Sequence, residues 1–134
     1  MKRRTAREKA LQALFQMDMN EMEPAEALQN VLEEEESMDS YLELLVIGVY
    51  DNKADIDNMI QSHLERWKLD RLARVDRNIL RIALYELLHQ QDEVPHNVVI
   101  NEAIEVSKRF GDEKSSKFVN GVLSKIVNTL YSRD

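Results

Sequence analysis

The chain has 134 residues, 43% of them apolar and 32% charged, with a net charge of −7 and no cysteine. That length and balance describe one globular domain, residues 1–134, able to bury a core, and exclude a disordered chain. No apolar run approaches membrane-spanning length and the start lacks an apolar signal segment, so a cytoplasmic protein without disulfides or Cys-based metal centres is expected.

Residues 2–9, KRRTAREK, hold five cations and one anion. Thr5 and Glu8 have the spacing of a capping box, and Ala10, Leu11, Leu14 and Phe15 recur at helical intervals, which predicts a helix from Ala6 to Asn20. A helix start carries partial positive charge and disfavours cations. Lys2, Arg3, Arg4, Arg7 and Lys9 gathered beside free N–H groups point to an anion site, with a phosphate chain as the natural ligand. The plain alternative is a basic, solubilising terminus.

Pro24 fits the first position of a second helix reaching about Glu36, with Glu33 to Glu36 as its solvated end. Ser40 and Glu43 form another capping box, opening a third helix. Leu42, Leu44, Leu45, Val46, Ile47 and Val49 make it apolar nearly all round, so it is expected at the centre. Asn52 can cap a fourth helix striped by Ile56, Met59, Ile60, His63 and Trp67. A fifth covers about Val75 to Gln90, with Ile79, Ile82, Ala83 and Leu87. After the Val94–Pro95 break, Asn97 can cap a sixth, which carries Ile100, Ala103, Ile104 and Phe110 and ends at Gly111. Ser115 or Ser116 starts the last, striped by Phe118, Val122, Leu123, Ile126 and Leu130. About seven helices with short connectors predict an all-α fold.

Charge is unevenly spread. Residues 18–57 hold thirteen anions and one cation, whereas residues 66–81 hold six cations and two anions. A local basic face can bind phosphate whatever the total charge. Arg74, Arg77 and Arg81 share one helical face of the second basic segment; a solvated amphipathic face is the competing reading. In GDEKSSKFVNG, Lys114, Ser115, Ser116 and Lys117 surround another helix start. Phe118 there either packs into the core against Val122 or offers an edge to a base. Gly121 inside a helix costs about 1 kcal/mol relative to Ala, which suggests close approach of another backbone or a ligand.

Catalytic signatures are missing. His63, His89 and His96 have no metal-ligand spacing, and no HExxH, GxSxG, Walker A or GxGxxG occurs. The carboxylates lie in a solvated block without opposed environments. Neither an enzyme, a metal nor a cofactor is expected.

Three blocks carry a family likeness: RRTAREKALQALFQMD, LARVDRNILRIALYEL and VPHNVVINEAIEVSKRFGDEKSSKFVNGVL. They resemble the NusB family of bacterial transcription antitermination factors; residues 18–57 carry no matching motif. The resemblance implies two packed helical bundles, each a three-helix-bundle-like half. It implies binding to the single-stranded boxA element of ribosomal RNA leader transcripts together with NusE, a small-subunit ribosomal protein. It implies entry into the RNA polymerase antitermination complex, which suppresses premature termination. Lys2, Arg3, Arg4 and Arg7 correspond to the family's arginine-rich start. Lys117 and Phe118 are brought towards the RNA, and Lys114 falls at a position that tunes RNA affinity. Arg77, from the basic face of the second segment rather than from the resemblance, is expected to join these at the RNA. Asp70 and Asp76 fall where the family places acidic contacts to its basic partner, although Arg71 departs from the doubly acidic pattern of some members. Two other readings accompany this one: a helical module whose homodimer hides the basic surface, and an accessory domain of an RNA methyltransferase. No glycine-rich S-adenosylmethionine motif or Cys nucleophile supports the latter.

Overall fold

The computed structural model describes residues 1–131. Among them the order is α1 (Arg3–Asn20), α2 (Pro24–Val31), α3 (Ser40–Asp51), α4 (Lys53–Ser62), a 3-10 turn (Leu69–Arg71), α5 (Arg74–His89), α6 (His96–Phe110) and α7 (Glu113–Leu130), with no strand. The fold is all-α, as the periodicity predicts. α1, α2 and α3 pack as one half, and α5, α6 and α7 as the other, with α4 laid against α5.

The central element is α5, not α3. It touches α1, α3, α4, α6 and α7, and its residues from Asn78 to Leu87 are all buried. On α3, Leu42, Leu45, Val46 and Val49 are buried, but Leu44 is exposed. A run of apolar residues marks a buried helix only where neighbours cover every side. The sequence of α5 hides its centrality, because Asn78, Arg81 and Glu86 interrupt the run, and each is satisfied inside the core. Across the α3–α5 contact, a Cβ on Gly48 would lie 2.3 Å from the Tyr85 ring, so only glycine lets the two helices meet there. The buried side chains form one continuous cluster.

Helix boundaries differ from expectation in instructive ways. α1 begins at Arg3, placing Thr5 and Glu8 inside the helix, and no side chain caps it. Glu8 is drawn away to Arg109 on α6. α2 stops at Val31. The four glutamates then form a turn with Glu35 at φ 67°, and Glu36 receives Lys9 at 2.7 Å. Asp39, one residue before Ser40, caps α3 by accepting from the Tyr41 and Leu42 amides. Asn52 does not cap α4; its side-chain amide donates to the Gly48 carbonyl and closes α3. Pro95, not Asn97, precedes α6. Asp112, not Ser115 or Ser116, caps α7. A charged carboxylate accepts amide hydrogen bonds more strongly than a hydroxyl; Asp39 takes two amides and Asp112 one. Gly111 does end α6, but at φ −115° rather than in the left-handed region. Glycine is required there by space: a Cβ would sit 2.7 Å from the Ser115 hydroxyl.

Candidate nucleic-acid interface

At the start of α1, Lys2 occupies the cap position in an extended conformation, leaving the first amides without a side-chain acceptor. The Arg3 guanidinium donates to Glu93 at 3.3 Å and lies 4.4 Å from the centre of the Tyr41 ring. The Arg4 Nε donates to Glu102 on α6 at 2.8 Å, a partnership that raises the Arg4 pKa further. Lys2, Arg3 and Arg4 are exposed and, with Arg109, line a cleft of about 630 Å³ rimmed by Glu8, Glu102 and Glu105. Arg109 reaches both oxygens of Glu8 at 2.7 and 2.8 Å while staying two-thirds exposed. In the Arg4–Glu102 and Arg109–Glu8 pairs the guanidinium is exposed while the carboxylate is mostly covered, so each arginine keeps a solvent-facing side open to a phosphate chain. The structure thus brings Lys2, Arg3 and Arg4 together and adds Arg109. The signal for Arg109 was its place beside Lys108 in the last turn of the predicted sixth helix.

Arg7 requires a correction. It is 4% exposed and faces inward. Its Nε and Nη2 donate to the two oxygens of Glu86 at 2.9 Å each, and Nη1 lies 3.7 Å from Glu102. The Tyr41 hydroxyl donates to the same Glu86 at 2.5 Å. Burial opposes the charge on Arg7, yet hydrogen bonds and attraction from Glu86 hold its pKa above the ordinary value. Burial and then Glu86 push the Tyr41 phenol upward. Arg7 shares the stripe of Ala6, Ala10 and Leu14 that α1 turns to the core, so it cannot meet a ligand on the surface.

Arg77 and Arg81 are corrected likewise. Arg81 donates through Nε and Nη2 to Asp57 at 2.8 and 2.9 Å, and through Nη1 to Asp18 at 3.0 Å. Arg77 is mostly buried and reaches Asp18 at 3.3 Å. Asp18 also accepts from Asn78 at 2.9 Å. Burial pushes the Asp18 carboxyl up, but Asn78 and the two arginines outweigh it and hold the pKa low. The expected basic face is therefore largely a neutralised seam, its anions supplied by the acidic block. Arg74 remains exposed, with no ion pair among the described residues.

The start of α7 is not an open anion site. Asp112 accepts the Ser115 amide at 2.8 Å, and that bond to the backbone is the main cause of its lowered pKa. Ser116 is buried and bonded to Ser107. Lys114 and Lys117 are exposed, and Phe118 is half-buried against the core. Gly121 meets no close neighbour: an added Cβ would have nothing within 4 Å. Instead it lines a cleft of about 250 Å³ with Lys117, Phe118 and Trp67. Trp67 and His63 lie beyond α4 and do not extend its stripe. The His63 ring is satisfied by the Met59 carbonyl and Thr129. Trp67 is 60% exposed, which the charged residues on both sides of it could have signalled.

The two acidic partner candidates stand apart. Asp70 is exposed on the 3-10 turn, beside a hollow shared with Asp57, Lys68 and Arg77. Asp76, in the first turn of α5, is half-buried, with Oδ1 lacking a partner among the described residues. Burial raises its pKa; Ser115 works against this and Asp112 adds to it. Among the described residues no cluster suits a metal ion, and no helix is long and apolar enough to cross a membrane.

A model of the NusB family matches residues 4–128. The chain belongs to this family. A transcription antitermination protein NusB of Bacillus licheniformis is 60% identical over 130 residues, covering 97% of this chain and 99% of the relative. One of Bacillus cereus is 56% identical over 131 residues, covering 97% and 100%. Among solved structures, NusB of T. maritima superposes with a TM-score of 0.85 at 39% identity, covering 96% of this chain and 92% of that one. A chain in a crystal structure of the antitermination factors NusB and NusE with double-stranded RNA gives 0.83 at 34% identity, covering 95% and 96%. These family likenesses agree with the fold expected from the three sequence blocks.

Proposed function

We propose that residues 1–134 act as one RNA-binding unit that engages the boxA element of ribosomal RNA leader transcripts together with NusE and suppresses premature termination by RNA polymerase. The observation that carries this reading is the cleft of Lys2, Arg3, Arg4 and Arg109 over the uncapped start of α1. Exposed cations and free amides there suit a phosphate chain. The family relationship, and a relative's crystal structure with NusE and RNA, support the same reading. Lys114, Lys117 and Phe118 extend the surface along α7, with phosphate contacts supplying affinity and stacked bases supplying selectivity. Asp70 and Asp76 meet the basic partner. The work of the protein is adhesion in a polymerase-bound complex in the cytoplasm, not catalysis.

The test is a salt titration of binding to boxA RNA against a scrambled strand, with and without NusE. The expected result is tighter binding to boxA, most marked with NusE present, and a linear fall of log affinity with log salt concentration. Equal affinity for both strands in the presence of NusE overturns the reading.

A further inference from the structure

A second cleft lies between α7 and the segment joining α4 to the 3-10 turn. Its walls are Arg66, Trp67, Lys117, Phe118, Gly121 and Lys125. Three observations there are independent of one another. The indole of Trp67, the only tryptophan in the chain, is 60% exposed. It is not on a loose loop: the Gln61 side chain donates to the Trp67 carbonyl at 3.0 Å and accepts the Leu69 amide at 2.8 Å, bracing the turn from both ends. Three cations surround it, and Glu65, the one carboxylate lining the cleft, pairs with Lys125 at 2.9 Å. Finally, Gly121 stands in mid-helix, where it costs about 1 kcal/mol relative to Ala, and no neighbour calls for its smallness. What the missing side chain leaves is room on the floor of the cleft.

We infer that this cleft is a stacking subsite for one unpaired RNA base, with Trp67 as the platform, Gly121 as the open floor, and Arg66 and Lys117 holding the flanking phosphates. Aromatic faces amid cations take single strands in this way, since every base offers a π-face. The inference rests on the proposed RNA-binding function and extends it beyond Lys117 and Phe118. A basic protein partner fits the cleft less well, because Arg66, Lys117 and Lys125 would repel it.

The fluorescence of Trp67 reports on the site directly. The full chain is titrated with boxA RNA, alone and with NusE, and binding is followed in parallel by anisotropy of a labelled RNA. The expected result is quenching of the indole at the same RNA concentration at which anisotropy rises. Trp67→Ala should weaken binding by roughly tenfold, the scale of one lost stack, and Gly121→Leu should weaken it by filling the floor. Circular dichroism checks that both variants keep their helices. If the wild-type chain binds boxA, and Arg3→Ala weakens it, while the indole is not quenched and Trp67→Ala binds as tightly, the subsite is overturned and the proposed function stands. If Trp67→Ala weakens NusE association and spares RNA, the cleft belongs to the protein partner and the inference fails. Absence of any boxA binding by the wild type overturns both.

Discussion

Arg7 and Glu86 meet through two parallel hydrogen bonds of 2.9 Å, with both side chains withdrawn from solvent. One arginine of the basic start is thereby a bolt between α1 and α5, while its neighbours Arg3 and Arg4 stay on the surface. Removing one partner of a buried pair costs about 3–5 kcal/mol, because the other charge is left unpaired. Arg7→Ala should therefore lower Tm by roughly 10–15 °C. Arg3→Ala and Arg4→Ala should leave Tm almost unchanged and instead reduce the salt dependence of RNA binding, by a log–log slope of up to ~0.7 per lost contact. Thermal melts and salt titrations of the three variants separate the two roles; an Arg7→Ala protein with wild-type Tm would contradict the assignment.

Asp18 joins α1 to α5 through Asn78, Arg77 and Arg81. Its folded pKa lies below the ordinary value. A depressed carboxylate contributes stability that is present above the unfolded pKa and lost as pH falls through the folded one. Asp18→Asn should thus destabilise the protein at pH 7, by about 2 kcal/mol given that Arg81 keeps Asp57. The deficit should shrink as the medium is acidified below the ordinary aspartate range. Urea unfolding at a series of pH values reads this directly.

Asp76 has the opposite sign. Burial raises its folded pKa, so it opposes folding once pH exceeds the unfolded value, and the penalty disappears on acidification. Asp76→Asn should raise Tm at pH 7 and have little effect at pH 3. If the carboxylate serves the basic partner, the same substitution should weaken NusE association. A variant that is no more stable at pH 7 than the wild type refutes the stability half.

The two mid-helix glycines should respond oppositely to alanine. Gly48→Ala drives a methyl into the Tyr85 ring, and overpacking of about 1–3 kcal/mol outweighs the helix-propensity gain. Gly121→Ala meets nothing and should stabilise α7 by about 0.5–1 kcal/mol. Paired denaturant melts check both signs.

The helical class, the order of elements and most stripe residues were legible in the sequence, because apolar spacing survives without knowledge of neighbours. Partnership was not. KRRTAREK shows five cations, but only the fold reveals that Arg7 turns inward to Glu86, 79 positions away. Arg77 and Arg81 look like a basic face until α1 and α4 bring Asp18 and Asp57 against them. The caps differ from the serine pattern for a local reason: Asp39 and Asp112 lie just upstream of Ser40 and Ser115, and their carboxylates take the free amides first. Trp67 fits the helical stripe by number alone, yet α4 ends five residues earlier, at Ser62.

The carboxylates that hold Arg3, Arg4 and Arg109 give the α1 cleft resident occupants. Any incoming polyanion must evict them. A strand that lays several phosphates along the cleft at once competes for these guanidinium groups better than one that makes a single contact. Under the proposed function, the cleft and the net charge of −7 together favour a ligand that makes several phosphate contacts at once over one that makes a single contact.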